Sequence, residues 1–305
     1  MGVCHYNPDT AEASPPRYRR FSMNAGPPES PAIALEGVRI AFDEREVLAG
    51  VSFSVARGET LALLGETGAG KTVLLKLVAG LLRPDAGRIR VLGNEVTEMP
   101  EEDLLTFRRQ LGFVFQEGAL FDSLTVADNV AYRLREEGAD EAEIESRVDE
   151  SLRFVEMQEA KAKLPGEISG GMRRRVSIAR ALITRPPIVL YDSPTAGLDP
   201  VTSQRIITLI LRLRDEYGVT ALLATQRIQD AFALANYRFA PGENAVLPLS
   251  PNGHAAARGG QSQPPGTSNA PRTRFLFLRE GKVYFEGDQE EVSGTKDAYL
   301  QRFLV

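Results

Sequence analysis

The residues Gly65-Glu66-Thr67-Gly68-Ala69-Gly70-Lys71-Thr72 have the spacing of a phosphate-binding loop: glycine, four residues, then Gly-Lys-Thr. Glycines at these positions let the backbone curl until successive N–H groups point inward and form an anion nest. A lysine at position 71 can then reach β- and γ-phosphates, and the Thr72 hydroxyl can ligate Mg²⁺. Far downstream the apolar run Ile188-Val189-Leu190-Tyr191 ends on Asp192, a carboxylate suited to hold the same cation, usually through water. Between them, Ser169-Gly170-Gly171 offers a second hydroxyl and a second pair of small residues at a helix start. Two such phosphate-binding termini, far apart in one chain, suggest a head-to-tail dimer. Each nucleotide would lie between one chain's loop and the other chain's Ser-Gly-Gly.

The elements flanking these residues must deliver them. Thr60 to Leu64 reads as a short buried strand and Val73 to Leu82 as an apolar helix, so the loop opens a helix whose dipole favours phosphate. Ile33 to Phe42 alternates in strand fashion and Val47 to Val55 continues it, giving an antiparallel edge beside the site. Phe42 is then either a platform for adenine or a core aromatic. Pro84 to Gly87 is a turn, Arg88 to Leu92 a strand, Glu101 to Arg109 a helix, and Leu111 to Phe115 a strand ending on Gln116. A helical block spans roughly Thr125 to Leu164, with Ile144, Val148, Leu152 and Val155 at helical spacing. Pro165-Gly166 stops it, and a basic amphipathic helix runs from Ser169 to Arg185 before Pro186-Pro187. Val201 to Tyr217 reads as a helix, Val219 to Thr225 as a strand, and Arg274 to Leu278 with Val283 to Phe285 as a hairpin.

Composition bounds the rest. The 305 residues are 43% hydrophobic and 25% charged with a net charge of -5, the profile of a soluble globular protein without a global field for nucleic acid or anionic lipid. Local basic clusters such as Arg173-Arg174-Arg175 remain possible contacts. No apolar run reaches the ~18–20 residues that cross a bilayer, so a membrane role must run through a partner. The N-terminus has no signal-peptide core. The single cysteine, Cys4, excludes an intrachain disulfide and suits a reducing cytoplasm. Residues 1–31 read as a disordered tail and 32–305 as one domain, with a helical subdomain at about 117–185 and a low-complexity insertion at about 240–272.

The ordered set of motifs resembles an ATP-binding cassette (ABC) ATPase subunit. It comprises Phe42, the loop at 65–72, Gln116, Ile168-Ser169-Gly170-Gly171-Met172, Leu190-Tyr191-Asp192, and Leu198-Asp199. The resemblance covers about residues 32–239 and 273–305. It implies an α/β fold with a P-loop NTPase core, a mixed sheet, an antiparallel β edge and a helical subdomain. It implies ATP and Mg²⁺ as cofactors and a second ABC subunit and a transmembrane permease as partners, with no nucleic acid. The place implied is cytoplasmic, on the inner face of the membrane. By the same resemblance, Phe42, Gly65 through Thr72, Ser169, Gly170, Gly171 and Asp199 bind nucleotide. Lys71, Gln116 and Asp192 are catalytic, Thr72, Gln116 and Asp192 hold the metal, and the segment after Gln116 grips the permease. Phe115 to Phe121 continuing to Asp128-Asn129-Val130, with methionine at 172, is similar to the Mla-like subgroup that serves lipid permeases. Taken singly, Gln116 could be a strand-end glutamine, Ser169 a helix cap and Asp192 a turn acid.

Two positions depart from that pattern. Ser193 stands where the family has a glutamate that orients or deprotonates water, and a serine hydroxyl is not a base near neutral pH. Gln226 stands where the family has a histidine on the γ-phosphate. The chain's two histidines, His5 and His254, fall in the tail and the insertion. The expectation is an ATP-binding subunit with intact binding residues and slow hydrolysis. The alternatives are a non-hydrolysing regulatory subunit, or a soluble ABC protein of translation or repair.

Overall fold

The computed structural model describes residues 30–249 and 273–304. The N-terminal segment called a tail, most of the 240–272 insertion, Cys4, His5 and His254 lie outside the described residues. In chain order the elements are β1 (Ile33–Phe42), β2 (Arg45–Val55), β3 (Thr60–Leu64), α1 (Lys71–Val78), β4 (Ala86–Val91), β5 (Asn94–Glu95), α2 (Glu101–Arg108) and β6 (Leu111–Val114). There follow α3 (Val126–Glu136), α4 (Glu141–Phe154), two single 3₁₀ turns, α5 (Gly170–Leu182), β7 (Ile188–Asp192), α6 (Pro200–Tyr217), β8 (Thr220–Ala224) and α7 (Ile228–Asn236). The chain closes with β9 (Tyr237–Ala240), β10 (Ala245–Pro248), β11 (Thr273–Arg279), β12 (Lys282–Gly287), α8 (Gln289–Ser293) and α9 (Ala298–Leu304).

The main sheet has the order β12-β11-β3-β8-β7-β6, with β11, β3, β8, β7 and β6 parallel and β12 antiparallel at one edge. Its central strands are buried on both faces, which is why they read as unbroken apolar runs. The period of two still sorts their side chains. Leu61, Leu63, Leu190, Leu222 and Leu276 face one core with α1 and the second sheet, while Val189, Tyr191, Ala221 and Leu223 face α5 and α6. The second sheet, β2-β1-β4-β5, is antiparallel, as the alternating pattern predicts.

Most predicted elements are found within a few residues of their expected bounds. The α1 helix starts earlier, at Lys71, and ends earlier, at Val78 rather than Leu82, because Gly80 takes positive φ (+64°) and closes the helix. Leu81 is left 44% exposed, outside the helical stripe. The stretch read as a low-complexity insertion from about 240 begins with a hairpin: Ala245 to Pro248 pair antiparallel with Ala240 to Tyr237. Its anchor is the buried Arg214–Asp215 pair. Arg214 donates to the carbonyls of Leu234 (2.5 Å) and Tyr237 (2.9 Å), and Asp215 accepts from the Phe239 N–H (2.6 Å). Phe239 and Val246 then add to the core under α6.

In the helical subdomain, Ile144, Val148, Leu152 and Val155 are all buried, as their spacing requires. Arg173, Arg174 and Arg175 form no basic patch. They donate to the carbonyls of Ile168 (2.8 Å), Phe115 (2.6 Å) and Val155 (3.0 Å), tying α5 to three different loops. Asn129 does the same for the stretch before α3. It is fully buried, accepts from the Phe121 N–H (2.7 Å), and shares its amide donors among the carbonyls of Phe121, Leu124 and Thr125, each at 3.0 Å. Replacing it by alanine strands those groups, and Asn129→Ala is expected to cost about 2–4 kcal/mol of stability, read by denaturant unfolding. A cost under about 0.5 kcal/mol would show the loop to be held by other contacts.

Candidate functional site

The parallel strands all point the same way, so their C-terminal ends bring the chemistry to one edge of the sheet. β3 runs into the phosphate loop, β7 ends on Asp192, β8 leads to Thr225 and Gln226, and β6 leads to Gln116. This is the crevice where ligands of open α/β sheets bind.

The loop is shaped by its neighbours as well as its glycines. Gly65 has φ +146°, and a Cβ there would sit 2.5 Å from the Leu278 carbonyl oxygen at the end of β11. Only glycine fits that combination of backbone angle and close approach. Glu66, Thr67 and Gly68 are exposed along the loop's rim, Ala69 is half-buried, and Gly70 (φ +97°) turns the chain into α1. Lys71 is buried, and its ammonium donates to the carbonyls of Gly65 (2.7 Å) and Glu66 (2.8 Å), so it lies across the loop. Burial lowers its pKa from the usual lysine value, and the nearby Asp192 carboxylate works against that shift. The next residue, Thr72, donates its hydroxyl to Asp192 Oδ1 at 3.1 Å.

A hydroxyl and a carboxylate in contact, one on the loop helix and one on a buried strand end, are oxygen donors of the kind a hard divalent cation uses. No group of three or more His, Cys, Asp or Glu that could hold a metal exists among the described residues. The Thr72 hydroxyl and the Asp192 carboxylate would fit a cation such as Mg²⁺ held by one or two protein oxygens together with phosphates. Gln116, the third expected ligand, is exposed in the turn after β6, one strand over from Asp192.

The other expected residues fall in two groups. Ser169 caps α5, accepting from the Met172 N–H at 3.3 Å, so the helix-cap role holds in this chain. Gly170 is exposed beside it, and Gly171 marks the closest approach of α6, where an added Cβ would collide with the Thr202 methyl. Asp199 caps α6 through the Thr202 N–H (2.9 Å), and the Thr202 hydroxyl, followed by this N–H, lowers its pKa. Phe42 is 43% exposed at the end of β1 and is not a core residue, which leaves its ring free for stacking. A cavity of about 460 Å³ lies elsewhere, between the end of α4 and the faces of α5 and α6 that carry Arg175, Val201 and Arg205.

Ser193 and Gln226 follow the paired strands β7 and β8. The Ser193 N–H donates to the Ala224 carbonyl (2.8 Å), two residues before Gln226. Ser193 has positive φ (+47°), and its hydroxyl points to Asp192 Oδ1 at 3.5 Å. Gln226 is exposed in the bend that opens α7. The edge thus gathers an ammonium, a carboxylate and hydroxyls of the kind that bind phosphates and a cation, with a hydroxyl at Ser193 and an amide at Gln226. Sequence reasoning missed Thr195, Thr225 and Asp230, which join these two loops, and missed the internal role of Arg174. A Thr-x₄-Asp spacing after β8 was the available signal.

A parallel sheet with a phosphate loop on β3, an acid on β7 and a helical subdomain inserted between them defines a P-loop nucleotide-binding domain. The matches agree and are narrower. Residues 48–196 match the family model described as ABC transporter, and the chain has the fold of an ABC nucleotide-binding domain. It is 39% identical over 215 residues to a methionine import ATP-binding protein, MetN, of Brucella abortus, covering 70% of this chain and 58% of that protein. It is 39% identical over 205 residues to a probable ribonucleotide transport ATP-binding protein, mkl, of Mycobacterium leprae, covering 67% of this chain and 59% of that one. The chain thus spans under two thirds of the length of these relatives. In structure it resembles a dimeric ATP-binding cassette in a post-hydrolysis state bound to ADP and Pi, with TM-score 0.67, 26% identity, and coverage of 84% of this chain and 98% of the cassette. It also resembles cbiO1 from Clostridium perfringens, part of an ABC transporter complex, with TM-score 0.70, 25% identity, and coverage of 88% and 92%.

Proposed function

We propose that this chain is the ATP-binding subunit of an ABC transporter. It binds ATP with Mg²⁺ between its own loop at 65–72 and the Ser169-Gly170-Gly171 helix start of a second cassette, and so drives or gates a membrane permease. The observation that carries the reading is the Thr72–Asp192 contact beside the buried Lys71 ammonium. Thr72, Asp192 and Gln116 would hold the cation, which neutralises charge on the β- and γ-phosphates when bound. Lys71 would orient those phosphates, Phe42 would stack on adenine, and Asp199 would face the second cassette. The dimeric cassette bound to ADP and Pi supports the two-subunit arrangement. No helix among the described residues is long and apolar enough to cross a membrane.

The permease would dock on the segment after Gln116. There Phe121, on the loop whose backbone hydrogen-bonds to the buried Asn129 side chain, and Tyr132 of α3 form an exposed aromatic pair with ring centroids 4.6 Å apart. Preorganised aromatics of this kind are common interface anchors. Lipid is the finer part of the proposal and rests on the Phe115 to Phe121 segment and Met172. The relatives' names, methionine import and ribonucleotide transport, set the competing cargoes. Because Ser193 and Gln226 replace a base and a phosphate contact, turnover is slow. In the limit ATP acts as a closing ligand alone.

Affinity purification of the tagged chain from detergent-solubilised membranes tests the reading. A permease is expected to co-purify, and the double substitution of Phe121→Asp and Tyr132→Asp is expected to release it while ATP binding persists. Recovery of the chain on ribosomes or DNA, with no membrane protein, would overturn it.

A further inference from the structure

We infer that Asp230 is a positioning residue that locks the loop carrying Ser193 to the loop carrying Gln226, so that the two phosphate-facing positions move as one unit. The carboxylate is 3% exposed, in the first turn of α7. One of its oxygens, Oδ2, accepts from the hydroxyls of both Thr195 and Thr225, the latter at 3.3 Å. Thr195 follows Asp192 by three residues, and Thr225 immediately precedes Gln226. A single oxygen therefore joins the segment after β7 to the segment after β8. The other oxygen faces Arg227 Nε at 3.7 Å.

Arg227 gives the clamp a second arm onto the same loop. It donates to the Ser203 hydroxyl (3.1 Å), which donates to the Leu198 carbonyl (3.5 Å). The Arg227 N–H also donates to the Thr225 hydroxyl (3.0 Å), closing a turn around Gln226. Loop 193–199 is thus held near both ends by groups at the start of α7. Burial raises the Asp230 pKa, and the two hydroxyls and Arg227 oppose that shift, so the carboxylate depends on these partners. None of the contacts involves the phosphate loop. The clamp can therefore govern placement of positions 193 and 226 without governing nucleotide affinity.

The consequence for turnover rests on the ATPase reading above; the mechanical coupling does not. The test compares the intact chain with Asp230→Asn, Thr195→Val and Thr225→Val, the valines being near-isosteric should Asp230→Asn fold poorly. Amide hydrogen exchange should quicken on the order of tenfold across both 193–199 and 225–228 in every variant, with the central strands unchanged. Thr195→Val is the decisive one, since it touches only the first loop and must loosen the second. Single-turnover ATP hydrolysis should fall about tenfold while the ATP Kd stays within about twofold. Thr195→Val loosening only its own loop would overturn the inference. So would ATP affinity and melting temperature falling together with the rate. A chain that binds ATP and never hydrolyses it, even with Ser193→Glu, would defeat the turnover reading, and the exchange comparison would still decide the clamp.

Discussion

Lys71→Met is expected to lower the affinity for ATP-Mg²⁺ by about 10²–10³-fold, the loss of a charge-assisted contact of roughly 3–4 kcal/mol to phosphate. The argument starts from burial. Lys71 is 7% exposed, and its ammonium is held by two loop carbonyls, Gly65 and Glu66, with Asp192 nearby. Its charge is therefore little screened, and phosphate is the partner such a cation lacks. Methionine keeps the length and apolar stem and removes the charge, so the fold should persist. Isothermal titration gives the affinity and thermal unfolding controls for stability. An affinity within about threefold of wild type would place the phosphates elsewhere.

The second large effect runs the other way. Ser193→Glu should raise single-turnover hydrolysis, by up to the 10²–10⁴-fold that a positioned general base typically contributes. Ser193 sits at the end of β7 beside Asp192, on the edge that carries Lys71 and Thr72, so a carboxylate there would reach the same crevice. The backbone already has φ +47°, a conformation strained for any side chain, so glutamate adds no new backbone cost over serine. Stability should stay within about 0.5 kcal/mol of wild type. Gln226→His on top of it should add a smaller increment, because that position would contact phosphate rather than water. If Ser193→Glu changes nothing, the missing base does not limit the rate.

Much of this was legible in the sequence because it is carried by local rules. The loop at 65–72 announces its fold through glycine spacing, and β3, β7 and β8 announce burial on both faces through unbroken apolar runs. That Ser193 and Gln226 follow neighbouring strands was legible only through the family's motif order, since they stand 33 positions apart in the chain. Strand pairing brings them together, and no local pattern encodes it. Three features stayed hidden for related reasons. The Arg173-Arg174-Arg175 run reads as surface charge, yet each guanidinium finds a backbone carbonyl on a different loop. The hairpin at 237–248 sits in a Pro- and Gly-rich stretch and is fixed from outside by Arg214 and Asp215. Asp230 looks like an ordinary first-turn acid until Thr195 and Thr225 are seen to converge on it.

The most direct test of the central claim, firm ATP-Mg²⁺ binding with slow cleavage, is a single-turnover experiment on the unaltered chain, with its permease if one co-purifies. Protein in excess over labelled ATP and Mg²⁺ should capture the nucleotide and release phosphate slower than about 0.1 s⁻¹, well below the ~10 s⁻¹ typical of enzymes. Capture followed by cleavage at about 10 s⁻¹ would contradict the account, because Ser193 and Gln226 would then suffice for ordinary turnover.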